Sequence, residues 1–324
     1  MMRKKNRVYG ILGIKSVMAN WNADFTGRPK TTGNKDIFGS DKALKYPIKV
    51  KWNEESEKVL YMKSFKIENK GNADEKDKLQ PKTLAERYAE IFKNNIDDKT
   101  SSREVLNNLF SAIDVMNFGA TFAEKKQNIS ITGAVQIGQG FNKYADSRIE
   151  VQDILSPFKN PKKEGADASS LGTKIVSDEA HYFYSFSVNP FSYDNYLGII
   201  DNFDGYTEEA YQKFKEASLV AATSFNTNSK FGCENEFALY IECNDDSKLY
   251  LGDIAQYLKF SKEEDLGLID LRGLDFIDES NIVNQIKNIE IYYNPYTTKL
   301  LGSFNGMDIT YKNIFTSEVI KWNV

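Results

Sequence analysis

Val8–Ala19, VYGILGIKSVMA, and the polar loop Asn20–Lys30, NWNADFTGRPK, together decide how the rest of the chain is read. The first is an apolar run with β-branched residues, which predicts a strand as the opening element of the domain. The second contains Gly27 and leads towards a short basic segment, Ser40–Lys49, SDKALKYPIK, an arrangement suited to gripping phosphates. Charge points the same way. Residues 1–51 carry twelve Lys/Arg against three Asp/Glu, a net of +9. The whole chain is −4, so the remainder sums to −13, and the asymmetry indicates a polyanionic partner.

At 324 residues and 41% apolar the chain has ample core for one large domain or two modest ones. No run approaches the length needed to cross a bilayer. Met1–Lys5 is basic, but the run after it holds Gly10, Gly13 and Lys15 and no cleavage-like site, so it reads as the first strand. The expectation is a soluble cytoplasmic protein with no membrane association. Cys233 and Cys243 lack the partners of a disulfide framework or zinc site and read as buried free thiols. His181 is the one histidine, which excludes paired-histidine RNA cleavage and any metal site with two His ligands. It lies in the alternating aromatic stretch AHYFYSF, where a structural role in a strand is expected.

Farther along, residues 51–115 turn highly charged and helical in pattern. Thr83–Glu86 and Ser101–Glu104 have capping-box spacing ahead of apolar helical runs. Asn69–Leu79 reads as a mobile loop and Gln127–Phe141 as one strand, with Ile129, Ile131, Val135 and Ile137 on one face. Its other face, Ser130, Thr132, Ala134, Gln136 and Gly138, either admits another backbone closely or is simply solvated. Strands at 148–155 and 174–188 flank a Pro-, Gly- and Lys-rich segment, which predicts a protruding hairpin with a disordered tip. A helix over Thr207–Ala222 and a strand over Glu236–Cys243 follow, then a mixed region. The order strand, helix, strand, strand, helix, strand is the split βαβ, ferredoxin-like pattern shared by RNA-recognition modules.

Lys42, Lys45 and Lys49 fall at three- and four-residue spacing, so one helix face presents all three, either to phosphates or to solvent. Pro47 is expected to bend that segment. Asn20, Asn22, Arg28 and Lys30 supply amide, guanidinium and ammonium donors suited to sugar–phosphate oxygens. Asp201–Gly205 lacks the alternating ligands of a calcium loop, and Gly133-x4-Gly138-x-Gly140 lacks the Lys-Ser/Thr of a phosphate loop. The aromatic signature of a standard RNA-recognition motif is missing, so RNA binding would rest on loops and backbone contacts.

Gly10–Ile14 (GILGI), Asn20–Asp24 with Gly27–Pro29, Ser40–Lys49, Phe118–Ala123 (FGATFA), Ile131–Gly140 (ITGAVQIGQG) and Leu171–Lys174 (LGTK) occur in an order that carries a family resemblance. The chain resembles the backbone subunits of type I CRISPR Cascade surveillance complexes, nearest to the subtype I-B, Csh2-like form of the RAMP superfamily. The resemblance implies an α+β fold: a modified RRM/ferredoxin-like palm (1–50, 116–149 and 180–324), a helical fingers insertion (51–115) and a β-hairpin thumb (150–179). It implies a non-catalytic protein without cofactor or metal that oligomerises along CRISPR guide RNA. Its partners would be further copies of itself, the guide-end cap and large subunits, and the target DNA strand paired to the guide. Carried over, Asn20, Asn22, Arg28, Lys30, Lys42, Lys45, Lys49, Gln136, Gly138, Gln139 and Lys143 would bind RNA. Leu155, Phe158, Leu171 and Lys174 would belong to the thumb. Type III relatives cut target RNA with an early-loop aspartate. Asp24 lies at a comparable position, which gives the alternative of a metal-dependent endoribonuclease.

Overall fold

A computed structural model describes residues 2–68, 77–155, 171–306 and 309–321. The chain opens with β1 (Val8–Ala19), the two-residue β2 (Phe38–Gly39) and α1 (Asp41–Glu54). The hairpin β3 (Phe65–Glu68) and β4 (Lys78–Pro81) precedes α2 (Leu84–Phe92), α3 (Ser102–Phe110) and α4 (Ile113–Phe118). Four short strands come next: β5 (Gly119–Phe122), β6 (Ile129–Thr132), β7 (Val135–Ile137) and β8 (Gly140–Asn142). The arms β9 (Ile149–Leu155) and β10 (Leu171–Val188) lead to α5 (Glu208–Ser224) and β11 (Cys233–Cys243). The last part holds β12 (Lys259–Glu263), β13 (Leu266–Asp270), α6 (Ser280–Val283), β14 (Ile286–Tyr293), β15 (Thr298–Leu301) and β16 (Ile309–Asn313).

The main sheet runs β16-β14-β11-β1-β10-β8-β2, with β7 and β9 also on β10. Strand β1 is central and antiparallel to both neighbours, β10 and β11. Its side chains alternate between two cores. Val8, Leu12 and Ile14 pack with Leu44, Ile48 and Trp52 of α1 and Phe214 of α5. Tyr9 and Ile11 pack with Phe183, Leu239, Leu258 and Leu274 beneath the C-terminal segment. Each fully buried side chain of this kind contributes about 1.5–3 kcal/mol.

The second layer is latched by a buried ionic cluster. His181 Nδ1 lies 2.8 Å from Glu236 Oε2, its Nε2 3.1 Å from Glu179 Oε1, and its ring stacks on Phe260 at 3.7 Å. Lys262, which follows Phe260 along β12, reaches Glu179 at 2.8 Å. Burial alone would lower the His181 pKa, but the carboxylates, Glu236 foremost, outweigh it and hold it raised. The hydrogen bond from His181 in turn draws Glu179 down to about 2.

Several expectations are corrected. The run Gln127–Phe141 is three strands, because its pairing changes: β6 pairs with β5, whereas β7 and β8 pair with β10. The break comes at Gly133, where a Cβ would sit 2.3 Å from the Phe118 carbonyl carbon. Ala134, just beyond it, is buried rather than on the open face. Helix α1 runs through Pro47 and on to Glu54, past the expected boundary at 50, with Pro47 buried inside it. Residues 51–115 contain the hairpin β3–β4 besides helices. Of the loop expected at Asn69–Leu79, residues 69–76 lie outside the described residues, and the rest enters β4. The region after β11 widens the sheet through β14 and β16 and closes its second face.

Candidate nucleic-acid interface

The loop after β1 is held by its own polar side chains. Asn20 is buried, and its Nδ2 donates to Gly27 O at 2.9 Å and Ile175 O at 3.1 Å, tying the loop to β10. Asn22 Oδ1 accepts from Ser40 N at 2.7 Å, joining the loop to the residue whose hydroxyl caps α1. The ammonium of Lys230 donates to the carbonyls of Asn20 and Trp21, and burial lowers its pKa. Asp24 Oδ1 accepts from Thr26 Oγ1 at 2.7 Å, Thr26 N at 2.8 Å and Arg28 N at 3.0 Å. Those bonds, the Thr26 side chain first, hold its carboxyl below the usual range. Asn20, Asn22 and Asp24 are therefore scaffold, while Arg28 and the fully exposed Phe25 face solvent at the loop tip.

Beyond the loop the chain forms an edge of the sheet. Phe38 pairs with Phe141 and Gly39 with Gly140. Tyr184 stands under this pair, its hydroxyl accepting from Trp21 Nε1 at 2.6 Å. A Cβ on Gly39 would lie 1.8 Å from that hydroxyl, and one on Gly140 2.3 Å from the ring. Both glycines are thus required by an internal tyrosine rather than by an approaching ligand. The Phe38 and Phe141 rings lie 6.2 Å apart, with Phe141 42% exposed. The Lys30 ammonium sits 5.9 Å over Phe38. Lys35 and Lys143 line a cavity of about 430 Å³ with Asn142, Tyr144 and Ser147. Among the described residues, Lys30, Lys35 and Lys143 have no ion pair.

Along the same edge, Gln136 is exposed and its Nε2 donates to Gly133 O at 2.8 Å. Gln139 is exposed, and Gly138 is open: the nearest atom to a Cβ there is Ser185 O at 3.5 Å. The structure so brings Lys30, Gln136, Gly138, Gln139 and Lys143 to one edge. Lys35, Phe38 and Phe141 join them and were missed, because the cue was a pair of phenylalanines about a hundred residues apart, each near a lysine.

Helix α1 sends its lysines elsewhere. Lys42 is exposed, but Lys45 pairs with Asp41 at 3.0 Å and lies over the Phe118 ring at 5.3 Å. Lys49 donates to Tyr61 O at 3.0 Å, and burial lowers its pKa in spite of nearby Asp114. On the β9–β10 hairpin, Leu155 is 70% exposed and directly opposite Leu171, and Lys174 is opposite Gln152. Phe158 lies outside the described residues. Among the described residues, no three His, Cys, Asp or Glu converge to hold a metal ion, and no helix is long and apolar enough to cross a membrane.

The family model described as CRISPR-associated protein Cas7 matches residues 6–293. A solved chain described as "CRISPR RNA-guided surveillance complex, pre-nicking" is similar at TM-score 0.51 and 14% identity, covering 92% of this chain and 96% of that one. Another, described as "CRISPR RNA-guided surveillance complex", has a TM-score of 0.44 at 12% identity, covering 91% and 95%. A search of curated proteins found no match.

Proposed function

The chain belongs to the family of CRISPR-associated protein Cas7, and on that premise we propose that it is a non-catalytic subunit that coats a CRISPR guide RNA. Copies stack head to tail along the guide, as a heterologous interface repeats into a helical array. The sheet edge carries this reading: Lys30, Lys35 and Lys143, without an ion pair among the described residues, flank two phenylalanine rings beside the open backbone at Gly138. Such a surface grips phosphate and sugar without reading sequence, which a guide of variable sequence requires.

In this reading the modified RRM palm is the antiparallel order β11-β1-β10-β8 with α1 and α5 on one face, the split βαβ arrangement. Its other face is closed by the C-terminal layer, so RNA runs along the edge rather than over an aromatic platform. Residues 51–115 act as fingers and 150–179 as thumb. The complex is of type I, subtype I-B, with a guide-end cap subunit, a large subunit and the paired target DNA strand as further partners. Asp24 closes its own loop, and we assign it no cleavage step.

Purified protein mixed with single-stranded RNAs of increasing length and unrelated sequence tests this by light scattering. The expected result is a mass that rises in whole copies with RNA length, whatever the sequence. A single bound copy at every length would contradict the assembly.

A further inference from the structure

Beside the sheet edge lies a groove that the phosphate contacts above do not use. It runs between β7 and the 247–253 loop, is about 340 Å³ in volume, and is lined by Gln136, Ser187, Asn189, Ser192, Arg7 and Tyr250. At its rim the Arg7 guanidinium lies over two rings, 4.5 Å from the centroid of Tyr250 and 5.0 Å from that of Phe191. Arg7 also donates to Tyr250 Oη at 2.8 Å and to Ser247 O at 3.3 Å. The loop that bears Tyr250 is anchored on either side. Leu249 is buried, Tyr9 Oη donates to its carbonyl at 3.1 Å, and the Ser247 hydroxyl meets Gln285 at 3.3 Å. Yet Tyr250 is 72% exposed. The ring is backed by the Arg7 cation and largely open to solvent, on a loop held at both Ser247 and Leu249.

An exposed aromatic ring backed by a cation, at the rim of a groove whose other polar lining is amides and hydroxyls, suits a flat heterocycle with hydrogen-bonding edges. Gln136 belongs both to this groove and to its neighbour along Gly138, so the groove is continuous with the strand edge that holds the RNA backbone. The geometry points to a site for one unpaired nucleobase of single-stranded RNA, stacked on the open face of Tyr250 with its edge towards Gln136 and Asn189. This rests on the RNA-binding reading above. Stacking is indifferent to base identity, because every base offers a π-face, so the site selects for an unpaired base and not for a sequence.

Two measurements on the full chain test it. In the first, RNA containing 5-iodouridine is photo-crosslinked to the wild-type protein and the joined peptide is identified by mass spectrometry. In the second, binding of the same RNA is followed by fluorescence anisotropy for wild type, Tyr250→Ala and Tyr250→Phe. The inference predicts a crosslink at Tyr250, binding weakened roughly 5- to 100-fold by Tyr250→Ala, and near wild-type binding for Tyr250→Phe, which keeps the ring. Unchanged binding by Tyr250→Ala with crosslinks only at Phe38 or Phe141 would overturn the base site and leave the RNA-coating function standing. Equal losses from both variants would also overturn it, by assigning the effect to the hydroxyl that meets Arg7. No binding of RNA by the wild type at any length would overturn both readings together.

Discussion

Tyr184 carries the loop Asn20–Lys30 through its hydroxyl, with Gly39 against that hydroxyl and Gly140 against its ring. Tyr184→Phe leaves the buried Trp21 indole N–H without its acceptor, an expected cost of about 1–3 kcal/mol in a urea titration. Gly140→Ala drives a methyl group into the same ring, and overpacking of that kind costs about 1–3 kcal/mol. Both variants should also weaken RNA binding, although neither residue touches the solvent-facing lysines. His181 gives a pH signature. Its pKa is raised on folding, so the cluster stabilises the protein fully below the ordinary histidine value of about 6.5. That contribution fades as pH rises through the raised folded value. Denaturation of wild type and His181→Gln should therefore show a stability gap that is largest below the ordinary histidine value of about 6.5 and narrows as pH rises above it. A gap that widens with pH would mean that the imidazole is held neutral. The histidine's place on a strand was legible from the alternating aromatics around it. Its buried partner Glu236 was not, because that residue comes from β11, a strand that β1 separates from β10.

At the scale of elements, Asp114 of α4 joins two parts of the chain. Buried, it accepts from Leu60 N at 2.9 Å and Tyr61 N at 2.8 Å, and burial raises its pKa against those bonds. Asp114→Ala leaves one buried and one half-buried amide unpaired, for an expected loss of about 2–5 kcal/mol by denaturant titration, whereas Asp114→Asn keeps one acceptor and should lose less. The capped helices were readable for local reasons: Thr83 and Glu86 form the reciprocal capping box, and Thr207 caps α5. The arms of the β9–β10 hairpin were readable as strand-like runs on either side of a Pro-, Gly- and Lys-rich segment. The division of 127–141 was not, because alternating residues look the same whether or not the partner strand changes. What ended β6 is contact between Gly133 and the Phe118 backbone, a non-local fact.

For the molecule as a whole, β1 held a clue to its double burial, since large apolar bodies occur on both of its faces, Tyr9 and Ile11 on one and Val8 and Leu12 on the other. The layer that covers the first two comes from residues more than two hundred positions away, and nothing local marks it. With that face closed, the proposed surface for a polyanion is the basic edge, and the lysines that lie there are not those with helical spacing in α1. Lys45 and Lys49 are engaged internally, while Lys30, Lys35 and Lys143 are free of ion pairs among the described residues. The most direct test is the salt dependence of RNA affinity for wild type and for a Lys30→Gln, Lys35→Gln, Lys143→Gln triple variant, on two RNAs of unrelated sequence. Release of counterions from single strands predicts that the slope of log K against log salt flattens by about 0.7 for each phosphate no longer neutralised, roughly 2 for the triple variant, equally on both RNAs. A triple variant that keeps the wild-type slope, or a slope that differs between the two RNAs, would contradict a sequence-blind grip on the guide backbone at this edge.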